Sequence, residues 1–384
     1  MNSFLLLSLW AAGFCIAFSI ANFYWPHLRY DANGQANGCQ HAPHIPSKHL
    51  FPVDFFFAAV MNTSGPGDAR PTALQIVRDE GLEGALTDKV FLITGTSAGI
   101  GVEVGRAIAA TGARVFLAVR DLEKGKAACS SFLKPGHVDL VRLDTSDMSS
   151  VRACAAEFLE KSATLNVLIN NAAIMATLTR IETKDGFEQQ LATNYLGHFL
   201  LFWLLKDALL KGSTPEFNSR VVNVSSSGHH ASEIIYDDFQ LKAPDAYTPF
   251  KAYGQSKLFQ IYMSNYIDRV YGPKGLHATS VMPGGIASNL QKHMPESVLR
   301  DMKEDPKTMN FMKSPEQGAA TTVLAAVGKE WEGKGGKYLE DCRPSRPEPL
   351  VPGAMGYKEY IYDSEKENQT WELTLEKLSL QERS

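Results

Sequence analysis

The chain has 384 residues, 44% hydrophobic and 21% charged, proportions that exclude a disordered, collagenous or polytopic membrane protein. Its 38 Lys+Arg against 42 Asp+Glu, a net charge of -4, leave no basic surplus for a phosphate backbone, so nucleic acid is not an expected partner. The 5 cysteines form no Cys-x-x-Cys pair, which indicates neither a disulfide framework nor a zinc site, and no metal is expected.

Met1 to Leu28 contains no Asp, Glu, Lys or Arg, and Phe4 to Phe23 is almost wholly apolar. As a helix rising about 1.5 Å per residue this run would span roughly 30 Å, the thickness of a bilayer core. Residues 1–24 therefore read as a membrane anchor, with a signal peptide cleaved near Ser19-Ile20-Ala21, or a helix buried in the protein, as rivals. Arg29 and the amino terminus set the orientation only weakly. The expected address is the endoplasmic reticulum membrane with the following domain facing the cytosol; a cleaved signal peptide would instead place it in the lumen. Residues 25–70 read as a linker carrying the short apolar segment Leu50 to Val60, and residues 71–88 as an amphipathic helix with Leu74, Ile76, Val77 and Leu82 among charges.

From Lys89 the pattern alternates. Val90 to Thr94, Val115 to Val119, Val138 to Leu143, Val167 to Ile169 and Val221 to Val224 read as buried strands. Ile100 to Ala110, Met148 to Leu159 and Phe187 to Leu210 read as helices between them. Apolar strands without alternation, separated by helices, predict an α/β fold: a doubly wound parallel sheet covered on both faces. A single domain over residues 89–346 accommodates the pattern, and residues 347–384 remain as a C-terminal extension.

The first strand runs into Thr94-Gly95-Thr96-Ser97-Ala98-Gly99-Ile100-Gly101 and then a helix. Glycines there permit a tight turn and close approach of a pyrophosphate to the helix N-terminus. A glycine cluster alone equally describes a plain turn; its place between strand and helix favours the cofactor reading. The second strand ends Val119-Arg120-Asp121. An acid at Val119 would favour NAD, whereas Arg120 suits the 2′-phosphate of NADP(H). Arg120 as a solvated loop cation, with Asp121 on the ribose or capping the next helix, is the alternative.

Tyr-x-x-x-Lys occurs at Tyr247/Lys251, Tyr253/Lys257 and Tyr362/Lys366, and only a pair on one helix face can meet. Pro249 marks a helix start inside the first pair, and the third lies beyond the sheet pattern. Tyr253 and Lys257 share an uninterrupted helical run from Phe250 to Val270. A cation one turn from a phenol favours the phenolate and eases proton exchange near neutrality. A hydroxyl from Ser225-Ser226-Ser227, after the strand, can hold the same oxygen.

Together these residues resemble the short-chain dehydrogenase/reductase family, from about Lys89 to Leu290 and in the family's order. The resemblance implies a Rossmann-type fold. It assigns Gly95, Ser97, Gly99, Ile100 and Gly101 to the cofactor loop, and Asp144 and Thr145 to the adenine. Asn171 falls in Asn170-Asn171-Ala172-Ala173, where Ala173 replaces the family's glycine. The segment Pro283-Gly284-Gly285-Ile286 with Ser288 is similar to the one lining the nicotinamide. Asn194, Ser226, Tyr253 and Lys257 then form the catalytic set, with Tyr253 and Lys257 also touching cofactor. The Ser226 to Tyr253 gap, with Gly318 to Thr322 and Gly335 to Asp341, resembles fungal members of the retinol-dehydrogenase-like branch.

The resulting expectation is an NADP(H)-dependent interconversion of carbonyl and alcohol on a lipophilic small molecule, such as a step of secondary-metabolite biosynthesis. A membrane-tethered scaffold that kept the fold without catalysis, and an NADPH-dependent double-bond reductase, are the alternatives. The segments Gly228 to Ala252 and Asn289 to Lys313, with Met294, Met302, Met309, Phe311 and Met312, are expected to shape the substrate pocket. The oligomeric state is left open.

Overall fold

The computed structural model describes residues 63–294, 296–347 and 356–381. The expected anchor and most of the expected linker, including Leu50 to Val60, lie outside the described residues. Among the described residues no helix is long and apolar enough to cross a membrane.

The first helix, α1 (Ala73–Asp79), is shorter than the amphipathic helix expected over residues 71–88. Gly81 and Gly84, at φ of 65° and 68°, take left-handed conformations that end the helix and turn the chain. Ile76 and Val77 still pack into the core. The domain then alternates β1 (Val90–Thr94), α2 (Ile100–Ala110), β2 (Arg114–Val119), α3 (Leu122–Cys129), β3 (Val138–Arg142), α4 (Met148–Lys161) and β4 (Val167–Asn170). A π-turn (Ala192–Leu196) leads into α5 (Gly197–Gly212), followed by β5 (Ser219–Val224), α6 (Pro249–Tyr271) and β6 (Leu276–Met282). Short helices α7 (Glu296–Glu304) and α8 (Pro306–Phe311) precede α9 (Ala320–Val327), β7 (Tyr338–Glu340), β8 (Arg343–Pro344) and α10 (Ser364–Lys377).

Among the described residues eight strands form one sheet in the order β3-β2-β1-β4-β5-β6-β7-β8, parallel throughout except for the antiparallel β7–β8 edge. This is the doubly wound arrangement, and strand order reverses between β1, which pairs with β2, and β4. Successive β1 side chains serve opposite faces. Leu92 joins a core with Phe116, Phe158, Phe199, Tyr262 and Trp371. Phe91 and Ile93 join one with Val104, Val115, Val222 and Val323. Both faces are thus dry, which is why the strands read as continuous apolar runs. A crevice opens outside the carboxyl ends of β1 and β4, the usual ligand position in such sheets.

The segment expected as a C-terminal extension packs against this unit. Trp371 of α10 stacks on Tyr266 of α6 with ring centroids 4.0 Å apart, and Thr374 Oγ1 lies 2.7 Å from Tyr195 Oη in the π-turn.

Candidate active site

The crevice is a cavity of about 1250 Å³ that runs from the glycine loop past Tyr253 to Met294 and Met302. At one end Gly95 and Gly99 hold positive φ, 76° and 59°. A Cβ on Gly95 would lie 2.7 Å from Ala172 Cα, and one on Gly101 would lie 2.2 Å from the Gly95 carbonyl oxygen. Only hydrogen fits at either position. Gly99 caps α2 without a side-chain hydrogen bond, so its N-terminal N–H groups lack a capping side chain, an arrangement suited to a pyrophosphate.

Thr94 and Asn171 brace this loop. Thr94 Oγ1 accepts the backbone N–H of Asn171 and of Ala172, both at 2.9 Å. Asn171 Nδ2 donates to the carbonyls of Thr94 and Gly95. Ala173 is absent from the residues with positive φ, so its methyl replaces the family's glycine without backbone strain. Arg120 is exposed at the cavity edge. Asp121 caps α3 by accepting from Lys124 N–H at 3.1 Å, so the capping alternative is realised. Asp144 and Thr145 line the same end, where Asp144 Oδ1 accepts from the Ser146 hydroxyl at 2.6 Å.

Of the expected catalytic side chains, Ser226, Tyr253 and Lys257 line the middle of the cavity, whereas the buried Asn194 does not reach its wall. Three neighbouring serines are sorted by their bonds. The buried Ser225 hydroxyl donates to the Lys257 carbonyl at 2.9 Å. Ser226 Oγ accepts the Gly228 N–H at 3.0 Å and lines the cavity beside Tyr253. Pro249 sits in the first turn of α6 and Thr248 caps it, setting Tyr253 and Lys257 one turn apart with Lys257 Nζ 5.7 Å from the Tyr253 ring centre. Burial pushes the Tyr253 phenol up to about 12, opposed by the Ser226 hydroxyl beside it. Burial pulls the Lys257 ammonium down to about 7.

Asn194 stands in the π-turn, a distortion often met at functional sites. Its Oδ1 accepts from Ile174 N–H at 2.9 Å, while Nδ2 donates to the Ile174 carbonyl and to Ser256 Oγ. The carboxamide therefore clamps the loop after β4 to α6. On the far wall Pro283, Gly284, Ile286 and Ser288 line the cavity. Lys313 Nζ donates to the Pro283 carbonyl at 3.2 Å and pairs with Asp341.

At the substrate end Met294 and Met302 are lining residues; Met309, Phe311 and Met312 are not. Phe311 is 47% exposed, and Met312 gives its carbonyl to Arg70, because α8 turns away from the crevice. His230 and Phe250, from the expected segment Gly228 to Ala252, line it too, and Lys358 joins them from outside the expected segments. Lys358 arrives with the C-terminal segment, tied over the loop after β5 by His230 Nε2 to Gly356 O at 3.0 Å and Tyr360 Oη to His229 O at 2.7 Å. No sequence motif signals that contribution, which depends on chain returning from more than a hundred residues away.

Residues 89–237 match the family model described as short chain dehydrogenase. The chain is 52% identical over 337 residues to "Short-chain dehydrogenase/reductase prx1" of Penicillium roqueforti, covering 88% of this chain and 98% of the relative. It is 42% identical to "Oxidoreductase calI" of Penicillium decumbens, with 84% and 96% covered. Human "Retinol dehydrogenase 12" is 38% identical, with 67% and 79% covered. Among solved structures, an uncharacterized protein from Mycobacterium paratuberculosis superposes with a TM-score of 0.57 at 28% identity, covering 77% of this chain and 96% of that one. The RhlG/NADP complex of Pseudomonas aeruginosa, at 24% identity and a TM-score of 0.54 over 67% and 96% of the chains, shares the fold. The glycine cradle, the α2 terminus without a capping side chain and these likenesses agree: the chain is an oxidoreductase of the short-chain dehydrogenase/reductase family, whose fold binds a nicotinamide cofactor.

Proposed function

We propose that the protein uses NADP(H) to interconvert a carbonyl and an alcohol on a lipophilic small molecule, and that Asn194, Ser226, Tyr253 and Lys257 form its reaction site. The observation that carries this reading is the convergence of Ser226, Tyr253 and Lys257 on the cavity that also holds the glycine loop. When bound, the cofactor supplies or accepts the hydride. In reduction, the Tyr253 hydroxyl gives its proton to the carbonyl oxygen. Ser226 Oγ, with a lone pair committed to the Gly228 N–H, donates its own proton to the Tyr253 or substrate oxygen. The Lys257 ammonium stabilises the resulting phenolate and grips the nicotinamide ribose. Asn194 has its carboxamide engaged by Ile174 and Ser256, so its part is to hold the loop after β4 against α6 beside the relay.

Arg120 at the cavity edge supports NADP(H) over NAD, since Val119 leaves no acid at the end of β2. Met294, Met302 and Phe250 give the far end an apolar wall beside His230 and Lys358, which supports a lipophilic substrate. The Penicillium relatives fit a step of secondary metabolism. The apolar run Phe4 to Phe23 would tether the domain to a membrane; release of the protein by alkaline carbonate would refute the tether.

Lipophilic aldehydes, ketones and enones, screened by NADPH absorbance with product identification, test the reaction. Tyr253→Phe should bind NADPH normally and lose turnover; undiminished turnover would overturn the assignment. Reduction of a carbon–carbon double bond would replace carbonyl chemistry as the reading.

A further inference from the structure

Lys257 is among the largest fully buried side chains. Its Nζ donates to the Val224 carbonyl at 2.7 Å and to Gln260 Oε1 at 3.0 Å. An ammonium has three donors and no acceptor, so the carboxamide atom facing it must be oxygen. That orientation leaves Gln260 Nε2 as a buried donor without a partner among the described residues. Buried polar groups are seldom left unmatched, and an exception calls for a reason. Here the reason is the oxygen presented on the other side.

Gln260 ends a buried polar chain that crosses the sheet. Asn170 Nδ2 of β4 donates to Asn223 Oδ1 of β5 at 2.8 Å, and Asn223 Nδ2 donates to Ser264 Oγ of α6 at 2.8 Å. Ser264 in turn donates to the Gln260 backbone carbonyl at 3.0 Å. Asn170, Asn223, Gln260 and Ser264 are all at 0% exposure, so the chain fixes the α6 backbone beneath Lys257 against the two central strands.

We propose that Gln260 is a positioning residue: with the Val224 carbonyl it occupies two of the three Lys257 donors and leaves the third for the cofactor ribose and the returning proton. The inference rests on the reading of Tyr253 and Lys257 as the proton-handling pair. Both acceptors are neutral, so the cation is held by dipoles. The titratable groups that face it are Tyr253 on its own helix and His198 from α5. A carboxylate in the Gln260 position would favour the ammonium, and an apolar side chain would disfavour it.

The test is an NMR titration of cofactor-free protein carrying ¹³Cε-lysine, with the Lys257 signal assigned by its loss in Lys257→Arg. Gln260→Glu should raise the Lys257 titration by ~1 unit or more, and Gln260→Met should lower it. NADPH affinity, read by fluorescence from pH 6 to pH 10, should fall at a correspondingly higher or lower pH. A Lys257 titration that stays within about 0.3 unit of wild type in folded Gln260→Glu would overturn the proposal. Gln260→Glu is nearly isosteric and carries the test alone if Gln260→Met fails to fold. Tyr253→Phe separates the two readings. Its loss of turnover beside an unmoved Lys257 titration defeats only the role of Gln260, whereas its undiminished turnover defeats the proton-handling pair.

Discussion

Thr94 Oγ1 lies 2.9 Å from His198 Nε2, and the direction of that bond is fixed by what else Thr94 does. Its oxygen already accepts two backbone N–H groups, so its proton points to the imidazole. His198 Nε2 is then the acceptor, and Nδ1–H donates to the Asn194 carbonyl at 2.9 Å. One neutral histidine thus couples the start of the glycine loop to the Asn194 turn.

Acid stability follows from this arrangement. Burial pulls His198 down from 6.5 to about 4. Below the unfolded value the unfolded chain binds a proton that the native state refuses, so stability present above pH 6.5 is lost as pH falls towards 4. The expected loss from this group between pH 7 and pH 5 is about 2 kcal/mol. Urea unfolding at both pH values should show His198→Gln less stable at pH 7 but with a pH dependence smaller by about that amount. An unchanged pH dependence would count against a neutral His198.

Arg120→Asp should weaken NADP binding and spare NAD. Loss of one charge-assisted contact to a 2′-phosphate costs about 2 kcal/mol, roughly a thirtyfold loss of affinity. Fluorescence titration with both cofactors gives the ratio directly. Equal losses for the two would assign Arg120 to the surface and remove the case for NADP(H).

Gly228→Ala probes the alignment of Ser226 and Tyr253. A Cβ there would lie 2.6 Å from Tyr253 Cε1 and 3.3 Å from Ser226 Oγ. The ring must shift, and a displacement near 1 Å at a reacting group costs about a hundredfold in rate. The expected result is a fall in kcat of that order with NADPH affinity kept, since the glycine loop is untouched. Stopped-flow turnover beside a binding titration measures both.

The residues that announced themselves in the sequence did so for local reasons. β1, β2, β4 and β5 are readable because both faces of each are buried, which leaves apolar runs such as Val90 to Thr94, whereas β3 is only partly buried and carries Asp139 and Arg142. β6 carries no such signal because Leu276-His277-Ala278-Thr279-Ser280 mixes polar residues into a strand, and β7 spans only three residues. The glycine loop and the Tyr253/Lys257 pair are set by chain-local spacing and so could be named with their numbers. The contacts that tune them, Thr94 with His198 and Lys257 with Gln260, depend on packing between elements or on a rotamer choice that spacing does not encode. α10 is hard to read for a related reason: its exposed face is charged, and Trp371 is the one large apolar side chain within it that is fully buried, with Leu373 and Leu375 only partly so.

The Trp371 anchor leads to the last prediction. Trp371 is 2% exposed and meets Phe199 and Phe202 of α5 edge-on at 4.8 and 6.1 Å while stacking on Tyr266. The same helix hydrogen-bonds Tyr195, the neighbour of Asn194, through Thr374. Trp371→Ala should therefore cost about 3–5 kcal/mol of stability, the range for emptying a large aromatic site. Thr374→Val keeps the volume and deletes the hydroxyl, leaving Tyr195 Oη buried and unmatched at about 1–3 kcal/mol. If α10 supports the reaction site as well as the fold, Thr374→Val should also lower kcat under conditions where the protein remains fully folded by circular dichroism, with NADPH affinity unchanged. Full turnover in the folded variant would confine α10 to stability.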